Sequence, residues 1–170
     1  MQKNDETGCI AFNVRNVEAG SSPKHYGRTY FAKKDFQPGE EIMRGYGRIV
    51  DHQTAHRSVQ IGPRKHYMPT KWTGAYWNHS CDPNAYMRTR TDGFPSLYAL
   101  KHIKRGDEIM YSYAMSEYAW SKGADENEVI CRCGVKNCKK KIRAFSQLSP
   151  KEQEQLRRKR LCATYLLGMV

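Results

Sequence analysis

The stretch CRCGVKNC places Cys131, Cys133 and Cys138 in a C-x-C-x4-C pattern, and thiolates this close together are suited to sharing one metal ion. Gly134 permits the tight turn that would fold the three sulfurs inward. A structural zinc takes four ligands, so the fourth must come from Cys9, Cys81, Cys162 or one of the six histidines. Cys81 lies within NHSCDPN (78–84), where Asp82-Pro83-Asn84 is a turn signal that would hold its thiol at the tip of a bend. The same residue also reads as a small buried hydrophobe, or as a nucleophile served by His79.

The elements that would carry these groups are mostly short strands. YFAKKDFQPGEEIMRGYGRIVD reads as a strand, a turn at Pro38-Gly39, a second strand and a glycine-bounded bend into a third. LYALKHIKRGDEIMYSY has the same texture, with its turn at Arg105-Gly106-Asp107. The expected class is therefore mainly β (α+β), built from several small sheets. One helix is expected, at the end of the chain. Ser149-Pro150-Lys151-Glu152 combines an N-cap serine, a proline at the first helical position and a capping-box glutamate. Leu156, Tyr165, Leu166 and Leu167 would give that helix one apolar stripe.

A chain of 170 residues with 39% hydrophobic content can bury one sizeable core. No apolar run approaches the ~20 residues of a membrane span, and MQKNDETGC is too polar for a signal peptide. The expected location is the nucleus or cytoplasm, where thiols stay reduced, which argues against disulfides among the six cysteines. The net charge of +12 is uneven: residues 136–160 hold ten lysines and arginines against Glu152 and Glu154. Such a segment either attracts nucleic acid through counterion release or is simply a solvated helix face.

NHSCDPN, followed by GDEIMYSY and then by C-x-C-x4-C, resembles the SET-domain protein lysine methyltransferases that carry a post-SET zinc segment. The order of the motifs matters as much as their wording. In that family a glycine loop comes first, then NHSCxPN, then a strand end like G-E-E-L-x-F/Y-D-Y, then the three-cysteine tail. Here YGRTYFA (26–32) stands for the loop, and all four occur in sequence between residues 26 and 138. Three positions depart from the pattern: Thr29 replaces the second loop glycine, Ser112 replaces the aspartate before the last tyrosine, and Ala75-Tyr76 replaces Arg-Phe. No cysteine-rich region precedes the motifs, so zinc is expected at the tail alone.

The resemblance implies a SET fold in which NHSCDPN and the tyrosine strand form a pseudoknot, with Pro83 and Asn84 as architecture. It implies an N-terminal segment (1–24), a SET domain (25–115), a post-SET zinc segment (116–148) and a basic helix (149–170). The cofactor would be S-adenosyl-L-methionine, held by Gly27, Arg28, Thr29 and Tyr30, by Asn78 and the backbone of His79, and by Tyr67. Cys81 would join Cys131, Cys133 and Cys138 around one structural Zn2+, leaving Cys9 and Cys162 as free thiols. Tyr113 matches the catalytic tyrosine, and Tyr111 the position that limits methyl number, which implies mainly monomethylation. Tyr118 or Trp120 would stack on the adenine, wall the lysine channel or pack in the core.

The implied substrate is a lysine in a histone, a nucleosome or another protein, drawn in by the acidic side chains of Glu117, Asp125, Glu126 and Glu128. The basic C-terminal region could contact nucleic acid, and no recruitment module is evident. Two other readings stand beside this one. A catalytically silent SET-like module binding protein or nucleic acid would explain Thr29 and Ser112. A zinc-ribbon nucleic-acid binder would explain the tail cysteines and the charge, but leaves NHSCDPN without a use.

Overall fold

The computed structural model describes residues 6–24, 27–54, 58–70, 72–120 and 129–169. Helix α1 (Glu6–Asn16) leads into short strands: β1 (Val17–Ser21), β2 (Arg28–Ala32), β3 (Glu41–Arg44), β4 (Gly47–Val50) and β5 (Val59–Gly62). These continue as β6 (Lys65–Pro69), β7 (Asn78–His79), β8 (Ala85–Thr89), β9 (Pro95–Ala99) and β10 (Glu108–Tyr111). Single 3-10 turns follow at Tyr113–Met115 and Phe145–Gln147, then helices α2 (Pro150–Arg158) and α3 (Thr164–Leu167). The strands form three small sheets, ordered β1-β2-β10-β7, β3-β9-β8 and β4-β6-β5. The expected β-rich architecture of small sheets is what the chain adopts.

Both predicted Gly turns form, and both need glycine. Gly39 and Gly106 take left-handed φ values of 86° and 89°, where a side chain would be strained. Their amides then donate to Ala99 O and Ala32 O, each at 2.8 Å, which ties the turns to neighbouring strands. Phe36, Ile42, Met87, Leu97 and Ile103 fill the core between the sheets.

All four residues of β10 are buried, because the strand runs between β2, antiparallel to it, and β7, parallel to it. β7 is only two residues long, and the rest of that edge is covered by the turn that follows it. Ser80 N donates to Tyr111 O at 2.9 Å, and Asn84 N donates to Met110 O at 3.1 Å. The Asn84 side chain accepts from Met110 N at 2.9 Å and donates to Glu108 O at 2.8 Å. One amide thereby replaces a missing strand, and residues 78–84 clasp β10 on the side away from β2.

Two expectations about helices need correcting. The C-terminal helix is not continuous: α2 stops at Arg158, Arg160 takes a left-handed φ of 53°, and Leu161 N turns back to Leu156 O at 2.9 Å. The anticipated stripe is therefore split. Leu156 is only partly buried, whereas Cys162, Ala163 and Leu166 beyond the break are buried and anchor the tail. The second correction is α1, which the strand-rich reading missed. Its buried face is Cys9, Asn13 and Asn16, and Asn13 donates to Arg44 O and Trp72 O while accepting from Arg44 N. A helix that docks through a hydrogen-bonded asparagine leaves no apolar stripe to read.

Candidate active site and metal centre

Tyr111 ends β10 and Tyr113 opens the 3-10 turn, so two tyrosines two residues apart lie side by side with ring centroids 5.4 Å apart. The Tyr113 hydroxyl donates to Trp77 O at 3.1 Å. The Tyr111 hydroxyl lies 3.2 Å from Ser116 Oγ, and Trp77 stands edge-on to the Tyr111 ring. Contacts that hold the turn include Phe145 N to Glu117 O, Ala163 N to Met115 O, and Tyr118 N to the Gln60 side chain. Burial pushes the Tyr113 phenol up to about 12 and Tyr111 well above its ordinary value. Both are neutral near pH 7, so they can orient and polarise but are not themselves resting bases.

Asn78, His79 and Tyr113 line one side of a cleft of about 340 Å3, and Ile130, Cys131 and Cys133 from the tail line the other. The Asn78 side chain donates to Arg28 O at 2.9 Å, which brings the Gly27-Arg28 segment to the cleft. Gly27 itself has φ of 100° with open space where a Cβ would stand. The Arg28 guanidinium lies over the Tyr76 ring, and Thr29 and Tyr30 are buried behind the loop. Tyr26, the first residue of the glycine loop, lies outside the described residues. Tyr67 is in a different layer: it is fully buried, its hydroxyl donates to Thr73 O, and its ring packs against Trp77. Tyr67 is not among the residues that line the cleft, and it braces the wall behind the tyrosines.

The four anticipated sulfurs converge. Sγ atoms of Cys81, Cys131, Cys133 and Cys138 all lie within 4.8 Å of one another, and Cys81 is 3.6 Å from Cys131. A tetrahedral zinc with ~2.3 Å bonds to sulfur requires S–S separations of about 3.8 Å, so the set fits one ion with no position left open. Lys139 N and Lys140 N each donate at 3.4 Å, to Cys81 Sγ and Cys138 Sγ respectively, as second-sphere donors to thiolates do. Cys9 and Cys162 are buried elsewhere, in α1 and just ahead of α3. Turn geometry explains why Cys81 reaches the cluster: Asp82 N donates to Ser80 Oγ at 3.1 Å, closing the bend that presents the thiol.

His79 joins the two centres. Its Nδ1 accepts from Tyr113 N at 3.1 Å, so the ring proton is assigned to Nε2, which lies 3.5 Å from Cys81 Sγ and donates to it. A histidine that donates to Cys81 cannot also take its proton, which removes the nucleophile reading.

Glu117, expected near the channel as an acid that draws in a basic substrate, is instead buried. Glu117 is 4% exposed, because the turn after β10 folds it inward, where it accepts from Gln60 N at 2.9 Å and from Ser116 Oγ at 3.1 Å. Burial raises its carboxyl to about 7. A lone glutamate between SET-like motifs carries no signal of burial, so the sequence offered nothing that could have found it. Asp125, Glu126 and Glu128 lie outside the described residues. Tyr118 is exposed and Trp120 meets Tyr113 edge-on, with centroids 6.5 Å apart.

The family profile for the SET domain matches residues 48–114, which span β4 through the first 3-10 turn and include both tyrosines. The chain carries a SET domain. Among its relatives, "Histone-lysine N-methyltransferase mes-4" of Caenorhabditis elegans is 33% identical over 147 residues, covering 68% of this chain and 15% of that protein. "Histone-lysine N-methyltransferase 2B" of Homo sapiens is 27% identical over 139 residues, covering 68% of this chain and 5% of that protein. The chain thus spans a small fraction of the length of the curated relatives it matches. In fold it is similar to KRYPTONITE, solved "in complex with mCHG DNA and SAH", with a TM-score of 0.60 and 21% identity over 75% of this chain and 29% of that one. Among the described residues no helix is long and apolar enough to cross a membrane.

Proposed function

We propose that this chain is the catalytic unit of an S-adenosyl-L-methionine-dependent protein-lysine N-methyltransferase, directed mainly at histones and mainly monomethylating. The observation that carries the proposal is the shared cleft: Asn78, His79 and Tyr113 face the cysteine-held tail across a space large enough for a nucleotide-sized ligand. The chemistry of the donors suits that cofactor. The Asn78 amide offers both a donor and an acceptor to an amino-acid end, and the buried Thr29 hydroxyl has no hydrogen-bond partner among the described residues. When bound, the cofactor supplies an electrophilic methyl group on a sulfonium.

The protein's own residues do the rest. A lysine amine has an ordinary pKa of ~10.4 and must arrive neutral, with its lone pair in line. Tyr113 lines the cleft and is fixed by Trp77 O and His79, and its hydroxyl would orient the reacting groups. Tyr111 fills the space behind it, and its hydroxyl would bond the amine and leave no room for repeated methylation. Cys81, Cys131, Cys133 and Cys138 would hold one structural Zn2+, which supplies no chemistry beyond fixing the tail as the second wall of the cleft.

The names of the relatives support a histone-lysine substrate, which would put the protein with chromatin. Lys139, Lys140, Lys151, Lys159 and Arg160 are exposed and could meet nucleic acid there, whereas Arg143 and Arg157 are engaged by Glu152 and by Leu166 O. Isothermal titration of zinc-loaded protein with S-adenosyl-L-methionine is the test. Micromolar binding lost in Asn78→Ala is expected; absence of binding by the zinc-loaded wild type would leave a silent SET-like module as the better reading.

A further inference from the structure

The methyltransferase reading leaves one requirement unmet: something must take the proton that a lysine ammonium loses before it can attack. We infer that Glu117 is the terminal acceptor of that proton, reached through the hydroxyls of Tyr111 and Ser116. The inference rests on the methyltransferase reading above, and its geometry is independent of the metal centre.

The three groups form an unbroken chain. Tyr111 Oη is 3.2 Å from Ser116 Oγ, and Ser116 Oγ is 3.1 Å from Glu117 Oε1. All three residues are buried, at 1%, 0% and 4% exposure, so water does not compete along the path. The carboxylate is held from the opposite side: Gln60 N donates to Oε1 at 2.9 Å, and Gln53 Nε2 lies 3.4 Å from Oε2. The titratable groups that face Glu117 are Tyr111 from the end of β10, Tyr113 from the first 3-10 turn and Tyr165 from α3, whose phenols its charge helps to raise. β5 presents the neutral Gln60.

In the step itself, Tyr111 Oη takes a proton from the lysine ammonium as its own proton passes to Ser116 Oγ, and the Ser116 proton passes to Glu117 Oε1. The ammonium becomes an amine, the carboxylate becomes a carboxylic acid, and both hydroxyls finish as they began. One proton then leaves to bulk water per turnover. A carboxyl that titrates near neutrality is matched to this duty, since it is substantially ionised at pH 7 yet basic enough to hold a proton. An ordinary carboxylate, with a pKa of ~4.3, would be a far weaker acceptor. Glu117 touches no substrate and so acts as a positioning and relay residue behind Tyr111.

The test is the pH dependence of kcat/KM for methyl transfer to core histones by wild type, Glu117→Gln and Ser116→Ala, each zinc-loaded. The glutamine keeps the acceptor for Gln60 N but cannot take a proton, and Ser116→Ala breaks the chain while leaving Glu117 in place. Both should lose about 10²-fold at pH 7. Both should return to within a few-fold of wild type by about pH 10.5, where roughly half of a free lysine amine is already neutral. No loss at pH 7, or an equal loss at every pH, would overturn the relay. A second readout needs no activity: in wild-type protein labelled with 13C-glutamate, one carboxyl resonance should titrate near pH 7 and vanish in Glu117→Gln. If Glu117 titrates in the ordinary carboxylate range, the relay fails whether or not the protein methylates lysine. If the wild type transfers methyl at no pH, the methyltransferase reading falls on its own evidence, and the relay with it.

Discussion

The cysteine cluster and the tyrosine pocket lie on opposite walls of one cleft, yet they are written into the chain in different ways. At the cluster, the proposed zinc site follows from residue type, spacing and the family resemblance: four thiols, brought together by a glycine turn and a bend at Asp82-Pro83-Asn84, converge on one point. At the pocket, the proposed role follows from burial. Tyr111, Ser116 and Glu117 are ordinary residues, and only their withdrawal from water turns a phenol into a fixed dipole and a carboxyl into a near-neutral base. His79 belongs to both, through Tyr113 N and Cys81 Sγ.

The largest effect should come from cutting the walls apart. Chelation, or Cys131→Ser, should release the tail, open residues 129–143 to proteolysis and reduce methyl transfer to background, because folding of such a segment is coupled to its metal. Retained activity after verified metal removal would break the comparison, since the pocket would then stand without its second wall.

A smaller effect is expected at the clasp the two regions share. Asn84→Ala removes two hydrogen bonds to β10 backbone groups and should cost about 2 kcal/mol in urea unfolding. A neutral result would mean that the turn, not the amide, holds β10.

Acid and base should separate the buried pocket from the surface. Glu117, raised to about 7 against ~4.3 unfolded, contributes stability that is present below pH ~4.3 and is lost as pH rises toward 7. Glu152, held down to about 2 by Arg143 and by the Ser149 amide, contributes stability present above pH ~4.3 and lost as pH falls toward 2. Glu152 is substantially exposed, so solvent screening keeps its share below about 1 kcal/mol. Unfolding measured from pH 2 to 8 should therefore show Glu117→Gln flattening the upper limb and Glu152→Gln the lower. The least effect is expected from Ser149→Ala, about 0.5 kcal/mol, the low end for a lost cap, on a helix whose residues are none of them buried.

How far the sequence reached follows the same division. The strands around both glycine turns and the α2 cap were legible because each depends on local geometry, whereas the convergence of Cys81 on the tail was legible through the family resemblance, its spacing leaving a buried thiol and a nucleophile open. α1 was not, because it docks through Asn13 and carries no apolar stripe. The break between α2 and α3 was not, because a left-handed arginine at position 160 has no composition signal. Glu117 was legible only as a charge. Its depth depends on contacts from β5, the second 3-10 turn and the start of α3, which lie far from it along the chain.

The most direct test of the central claim is transfer of radiolabelled methyl from S-adenosyl-L-methionine to core histones and nucleosomes, with zinc-loaded wild type and Tyr113→Phe compared side by side. Labelled lysine, mostly monomethylated, is expected from the wild type, and a loss of at least about 10²-fold in the variant despite unchanged cofactor binding. Equal labelling by the two proteins would contradict the role given to Tyr113, and no labelling by either would contradict the enzyme.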